Sequence, residues 1–308
     1  MIARRLVILS LTVLLGIWFG VASAAEVAAP KKPDVFVSIE PVEYFVKRVA
    51  GPLVDVNVLV GPGQEPHTFE PTPKLVAKLS DAQVLFKIGF PFEEALIAKA
   101  GSTFKNLKVV DLQQGIKMRT ISDAEEESDH DAGASHGHSH EAGAVDPHTW
   151  LDPRLAKIQA RTIAATLIEI DPIHRAVYEE NLKRFQSDLD KIDDQLRASL
   201  APLKGKSFFV FHPAFGYLGD EYGLKQVAVE IEGKEPTARQ LSRLIEQAKR
   251  QGVRVIFAEP QFPKKTAETL AKSIGGAVVL IDDLAPDYMN NLKDVAMSLE
   301  SALRNQAK

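Results

Sequence analysis

The chain contains no cysteine in its 308 residues. Disulfides and thiolate ligands are therefore excluded, and any metal site must be built from nitrogen and oxygen. Lysine and arginine are absent from the whole stretch Thr120–Pro153, between Arg119 and Arg154. The formal net charge is -4 at pH 7, and a chain without a cationic surplus is a poor partner for nucleic acid. Beyond Ala24 there is also no apolar run long enough for a spanning helix, which needs about 20 residues.

The one long apolar stretch runs from Leu6 to Ala22, behind Arg4-Arg5 and ahead of Ala22-Ser23-Ala24. A cationic start, a short apolar core and a small-residue cleavage site describe a secretory signal peptide over residues 1–24, rather than a retained membrane anchor. No cysteine follows to carry a lipid, so a soluble protein of the periplasm is expected. The remainder is long for one core and suits two domains.

Short β-branched and aromatic runs alternate with longer helical patterns, as in parallel α/β units. Strands are expected at Val35–Ile39, Asp55–Val60, Gln83–Ile88 and Leu107–Val110, then again at Ser207–Phe211, Lys225–Glu230, Val253–Ala258 and Ala277–Ile281. The second set follows the first in step. A small motif repeats with it, Gly63-Gln64-Glu65-Pro66 against Gly233-Lys234-Glu235-Pro236. The expected fold is α/β, with two similar lobes, each a mainly parallel sheet flanked by helices. The lobes cover residues 33–171 and 204–308.

Between them, residues 172–201 read as one long rigid helix. Leu182, Phe185, Leu189, Ile192, Leu196 and Leu200 recur at spacings of three and four and form a single apolar stripe. A helix of about 29 residues would reach about 43 Å at 1.5 Å per residue. Residues 122–144 break the pattern with seven acidic side chains, small residues and four histidines, His130, His136, His138 and His140. Such a composition buries no core and reads as a disordered acidic surface loop able to attract metal ions.

The other histidines are sparse, and three of them adjoin proline: Pro66-His67, Pro147-His148 and His212-Pro213. Neutral imidazole is a common ligand for zinc-like metals, and an adjacent proline narrows the backbone freedom of its bearer. In parallel sheets ligands gather at the carboxyl ends of strands. His67 lies beyond the second expected strand, His212 directly follows the fifth, and Asp282 ends the eighth. His148 stands between the acidic loop and a helix. These four are the candidate ligands, with Asp283, Glu65 or water as alternatives for the fourth position. His174 has no such setting and reads as a surface residue.

The stretches His67-Thr68-Phe69-Glu70-Pro71, Asp146-Pro147-His148-Thr149-Trp150-Leu151-Asp152-Pro153 and Phe211-His212-Pro213-Ala214-Phe215-Gly216-Tyr217-Leu218 resemble the metal-binding solute receptors of ABC importers. The resemblance spans the chain after the signal peptide. The histidine-rich loop, Ile231-Glu232-Gly233-Lys234-Glu235-Pro236-Thr237 and Ala258-Glu259-Pro260-Gln261-Phe262 are similar to the zinc-uptake branch in particular. The resemblance implies two lobes joined by a backbone helix. It also implies one ion held by His67, His148 and His212, with Asp282 matching a carboxylate that some members use. Some zinc members place a glutamate immediately before the first histidine; here Pro66 stands there and Glu65 one residue earlier.

Three imidazoles favour zinc, while manganese or iron sites lean toward oxygen ligands. A zinc hydrolase would also use three histidines and an open position, but it needs a positioned general base and no H-E-x-x-H motif occurs. The resemblance implies a monomeric receptor that passes Zn²⁺ to a membrane permease with its ATPase, not an enzyme.

Overall fold

The computed structural model describes residues 32–100, 104–121, 145–230 and 235–304. The signal segment 1–24, the acidic stretch 122–144 with His130, His136, His138 and His140, and Gly233-Lys234 of the repeated motif lie outside the described residues.

Eight short strands form two four-stranded parallel sheets. The first contains β1 (Asp34–Val37), β2 (Asp55–Val58), β3 (Val84–Lys87) and β4 (Lys108–Asp111), and the second β5 (Ser207–Val210), β6 (Lys225–Ala228), β7 (Val255–Ala258) and β8 (Ala277–Leu280). The orders are β2-β1-β3-β4 and β6-β5-β7-β8, so the second sheet repeats the topology of the first. The register follows suit, with Val35 opposite Val56 and Val84 in one sheet and Phe209 opposite Val227 and Ile256 in the other. Parallel neighbours require crossover connections, which the helices supply. In each sheet the direction of winding reverses beside the first strand, between β1 and β3 or between β5 and β7. That reversal opens a crevice at the carboxyl ends of the strands.

The helices are α1 (Glu40–Ala50), α2 (Pro73–Ser80), α3 (Pro91–Ala100), α4 (Pro153–Ile170), α5 (Arg175–Leu200), α6 (Gly216–Tyr222), α7 (Ala238–Arg250), α8 (Lys264–Ser273) and α9 (Tyr288–Arg304). Local chemistry sets several boundaries. Thr72 Oγ1 accepts from Leu75 N at the start of α2, Asp152 Oδ1 accepts from Arg154 N at the start of α4, and Thr237 with Gln240 forms a reciprocal capping box on α7. Each satisfies backbone donors that a helix start leaves unpaired.

Helix α5 has 26 residues and begins three positions later than the sequence pattern implies, because Pro172–His174 forms a 3₁₀ turn. The Asp171 carboxylate is engaged by Tyr178 Oη at 2.5 Å and His174 Nδ1 at 2.7 Å, which draws the chain into the tighter turn. Five of the six expected stripe residues of α5 are fully buried, and Leu182 is half-buried. They pack into a core made with α1, α4 and α9. Helix α9 returns from the second sheet to this core, where Tyr288 lies 4.8 Å from Phe45 of α1 and Phe45 lies 5.6 Å from Phe185 of α5. One apolar core therefore runs through both lobes and the helix between them, while a smaller one fills the space between the outer face of the second sheet and α7 and α8. Alternate residues of β5 divide between them: Phe208 and Val210 face the main core, Phe209 and Phe211 the smaller one.

Candidate metal centre

His212 emerges at the winding reversal of the second sheet, directly beyond β5 and Phe211. Its backbone N–H donates to Glu259 Oε2 at 3.1 Å, and Glu259 directly follows β7. The equivalent crevice of the first sheet is closed by a carboxylate of its own. Glu93 of α3 is fully buried and accepts from the backbone of Ile88, Gly89 and Phe90 and from the Ser38 hydroxyl. The first lobe instead extends His67 from the loop between β2 and α2. Glu65 sets the turn, its Oε1 accepting from His67 N at 2.6 Å and its Oε2 from Thr68 N at 2.7 Å. His148 comes from the segment leading into α4 and is 1% exposed.

These three imidazoles converge. His67 Nε2 lies 3.4 Å from His148 Nε2, and His212 Nε2 lies 3.0 Å from the same atom. A tetrahedral zinc with Zn–N bonds of 2.0–2.1 Å separates its nitrogens by about 3.3 Å. Two observed distances bracket that value. The rings are walled by aromatic side chains, with Phe90 edge-on to His67 at 5.1 Å and Phe262 stacked on His212 at 4.7 Å.

The outward nitrogens of two rings are held by carboxylates. His148 Nδ1 donates to Asp146 Oδ1 at 2.7 Å, and His212 Nδ1 donates to Glu230 Oε1 at 3.0 Å. An imidazole whose Nδ1 carries the proton presents a lone pair at Nε2, the arrangement that orients metal-bound histidines. Burial holds both rings below the usual histidine range, with Asp146 and Glu230 pulling back only in part. With Nδ1 of each ring held by a carboxylate, Nε2 of each is directed at the other across 3.0 Å, a position from which both can donate a lone pair to one cation.

Burial, with His212 adding to it, lowers the His67 ring to about 4. In the unfolded chain it takes up a proton near 6.5. Between these values the unfolded chain binds more protons than the native one, so native stability is complete above the window and falls as the pH drops through it. Zinc-free protein is expected to lose stability relative to a His67→Ala variant from pH 6.5 down to 4, by up to about 1.4 kcal/mol per pH unit. Urea unfolding in chelator at a series of pH values measures this. A difference that ignores pH across the window would mean the ring is not held neutral.

Asp282 is not brought into the group. Its Oδ1 accepts from Leu284 N at 2.9 Å and Gln261 Nε2 at 2.8 Å, and so stabilises the turn after β8. The adjacent residue, beyond the end of β8, lies at the cavity instead. Asp283 lines the same pocket as the three histidines, is buried, and its Oδ1 has no hydrogen-bond partner among the described residues. Burial and the neighbouring Asp282 push its carboxyl up to about 8. Glu65 also lines the pocket, but both its oxygens are engaged by its own turn. His174 is bonded to Asp171, far along the sequence from the other rings and outside the cluster.

Glu230, Glu259 and Arg119 carry no sequence signature of a role at the site. Asp146 has only a local one, two residues before His148 in Asp-Pro-His. Glu230 is separated from His212 by 18 positions and brought to it only by the pairing of β5 with β6.

The sequence matches the family described as zinc-uptake complex component A, periplasmic (ZnuA), over residues 35–302. The chain belongs to the ZnuA family. A curated relative is the high-affinity zinc uptake system protein ZnuA of Bacillus subtilis (strain 168), 34% identical over 274 residues, which are 85% of this chain and 82% of that protein. The zinc-binding lipoprotein AdcA of Streptococcus pneumoniae (strain ATCC BAA-255 / R6) is 34% identical over 264 residues, and there the match spans 51% of the relative's length. A crystal structure of ZnuA superposes with a TM-score of 0.79 at 38% identity, covering 88% of this chain and 99% of the other. Zn(II)-bound AdcA from Streptococcus pneumoniae superposes at 0.72 with 26% identity, over 89% of this chain and 58% of that one. The two-lobed architecture is thus that of ZnuA.

Proposed function

We propose that this protein is an exported receptor that captures Zn²⁺ between its two lobes and delivers it to an ABC permease, whose ATPase drives uptake. One observation carries the reading: the Nε2 atoms of two carboxylate-oriented imidazoles converge at 3.0 Å, with that of a third ring 3.4 Å from one of them. This donor set suits a borderline cation, and the zinc proteins among its relatives support zinc over manganese or iron. In this reading His67, His148 and His212 bind the ion, and the fourth position belongs to Asp283 or a water rather than to Asp282. A receptor is favoured over a zinc hydrolase because the relatives are zinc-uptake and zinc-binding proteins and Glu65 is engaged as an acceptor by its own turn. The signal segment 1–24 would direct the chain to the periplasm, where the loaded form works as a monomer.

The loop histidines His130, His136, His138 and His140 would supply weaker, faster capture that feeds the main site. Deleting residues 122–144 is therefore expected to leave one tight zinc per chain while removing additional weak ions. Calorimetric titration of the full chain and the deletion variant, with zinc and then with manganese, tests both parts. Loss of all tight zinc binding on deletion would put the main site in the loop; tighter manganese than zinc would change the cargo.

A further inference from the structure

Asp146 orients His148, but a fully buried carboxylate is unstable without compensation of its own. Its two oxygens are divided. Oδ1 accepts from His148 N and Nδ1, and Oδ2 accepts from Arg119 Nη1 at 2.7 Å. The Arg119 side chain is 10% exposed and is itself fixed from several directions. Its Nε donates to Asp220 Oδ2 of α6 at 3.0 Å, and its guanidinium lies 5.7 Å from the Tyr217 ring centre. Its backbone N–H donates to Tyr217 Oη, which in turn donates to the carbonyl of Asp146. Its carbonyl accepts from Asp146 N at 3.0 Å. Residues from the first lobe and from α6 of the second are thereby joined at one guanidinium.

Gly216, the first residue of α6, is the counterpart of this arrangement. A Cβ there would lie 1.5 Å from Arg119 Nη1 and 2.9 Å from Asp146 Oδ2, so any other residue would occupy the place of the guanidinium.

We propose that Arg119 is a positioning residue of the metal site: clamped between Asp146 and Asp220 beneath Gly216, it fixes the carboxylate that aims His148 at the ion. This rests on the zinc-receptor reading above. Arginine suits the task because its planar fork donates to two carboxylates at once, which a lysine ammonium on a flexible stem does less well.

The test is the Zn²⁺ affinity of the full chain, measured by competition with a chelator, in Arg119→Ala, Arg119→Lys and Gly216→Ala. Loss of a direct outer partner of a metal-bound histidine weakens binding by about 10–100-fold, and Arg119→Ala, acting one bond further out through Asp146, is expected to reach the lower end of that range, about 10-fold. Arg119→Lys should recover part of it. Gly216→Ala should weaken binding in the same direction while leaving every charge in place. Two readouts separate positioning from a merely structural role. In a His148→Ala background, Arg119→Ala should cause no further loss, and ¹H–¹⁵N spectra of zinc-free protein should show the His148 ring changing from a single Nδ1–H tautomer to a mixture. Unchanged affinity in Arg119→Ala, or an equal loss with and without His148, overturns the proposal. If Arg119→Ala does not fold, unchanged affinity in both Arg119→Lys and Gly216→Ala overturns it equally. Absence of tight zinc binding in the unaltered chain would instead defeat the receptor reading, which keeps the two failures distinct.

Discussion

Replacing His148 by alanine is expected to weaken zinc binding by roughly 10²–10³-fold, because structural zinc sites of four ligands contribute about 10–16 kcal/mol in all and each 1.4 kcal/mol is tenfold. His148 is the critical choice among the three rings, since its Nε2 is the atom that both His67 and His212 approach. Removing it leaves the Asp146 carboxylate buried without its imidazole partner, while Arg119 still compensates the charge. The fold should therefore survive the substitution. Competition with a chelator of known affinity reads the loss, and thermal unfolding of the zinc-free protein checks the fold. Changing His67, His148 and His212 together should leave only weak binding. Tight zinc binding that persisted in the triple variant would place the site elsewhere in the chain.

The second large effect concerns the scaffold. Phe185 is fully buried on α5 and meets Phe45 of α1 at 5.6 Å and Tyr44 at 6.0 Å, beneath the guanidinium of Arg48 at 4.9 Å. Phe185→Ala is expected to destabilise the zinc-free protein by about 3–5 kcal/mol, the usual range for emptying an aromatic position in a packed core. Urea unfolding measures it, with the midpoint falling at a nearly constant slope. Because no ligand histidine touches Phe185, zinc stoichiometry should remain that of the unaltered chain under folding conditions. A change below about 1 kcal/mol would mean that α5 is not packed as described, since exposed sites typically show effects of that small size.

Much of this architecture was legible in the sequence because it is encoded locally. Each of the eight strands begins within two residues of its expected position, since β-branched and aromatic runs mark short buried strands regardless of their partners. The stripe from Phe185 to Leu200 announced the long helix for a similar reason: helical periodicity is a property of the segment itself. Its first turn was misplaced because the Asp171 carboxylate makes bonds to Tyr178 and His174 that spacing does not reveal. Helix α9 looked like part of the second lobe by its position, yet its apolar face packs on α5 and reaches Phe45, a choice made by shape and available surface.

The candidate site divides along the same line. By themselves the residues bounded the chemistry: no cysteine and three histidines each beside a proline limit any metal site to nitrogen and oxygen donors. Only the tertiary structure decided that the three rings meet, that Asp283 lines their pocket while Asp282 holds a turn, and that Asp146, backed by Arg119, and Glu230 bond to the His148 and His212 rings. The physical reason is separation along the chain. Ligand identity is a property of single side chains. Their convergence at hydrogen-bond distance depends on which strands pair, which way side chains leave those strands, and which charges remain to be compensated once water is excluded.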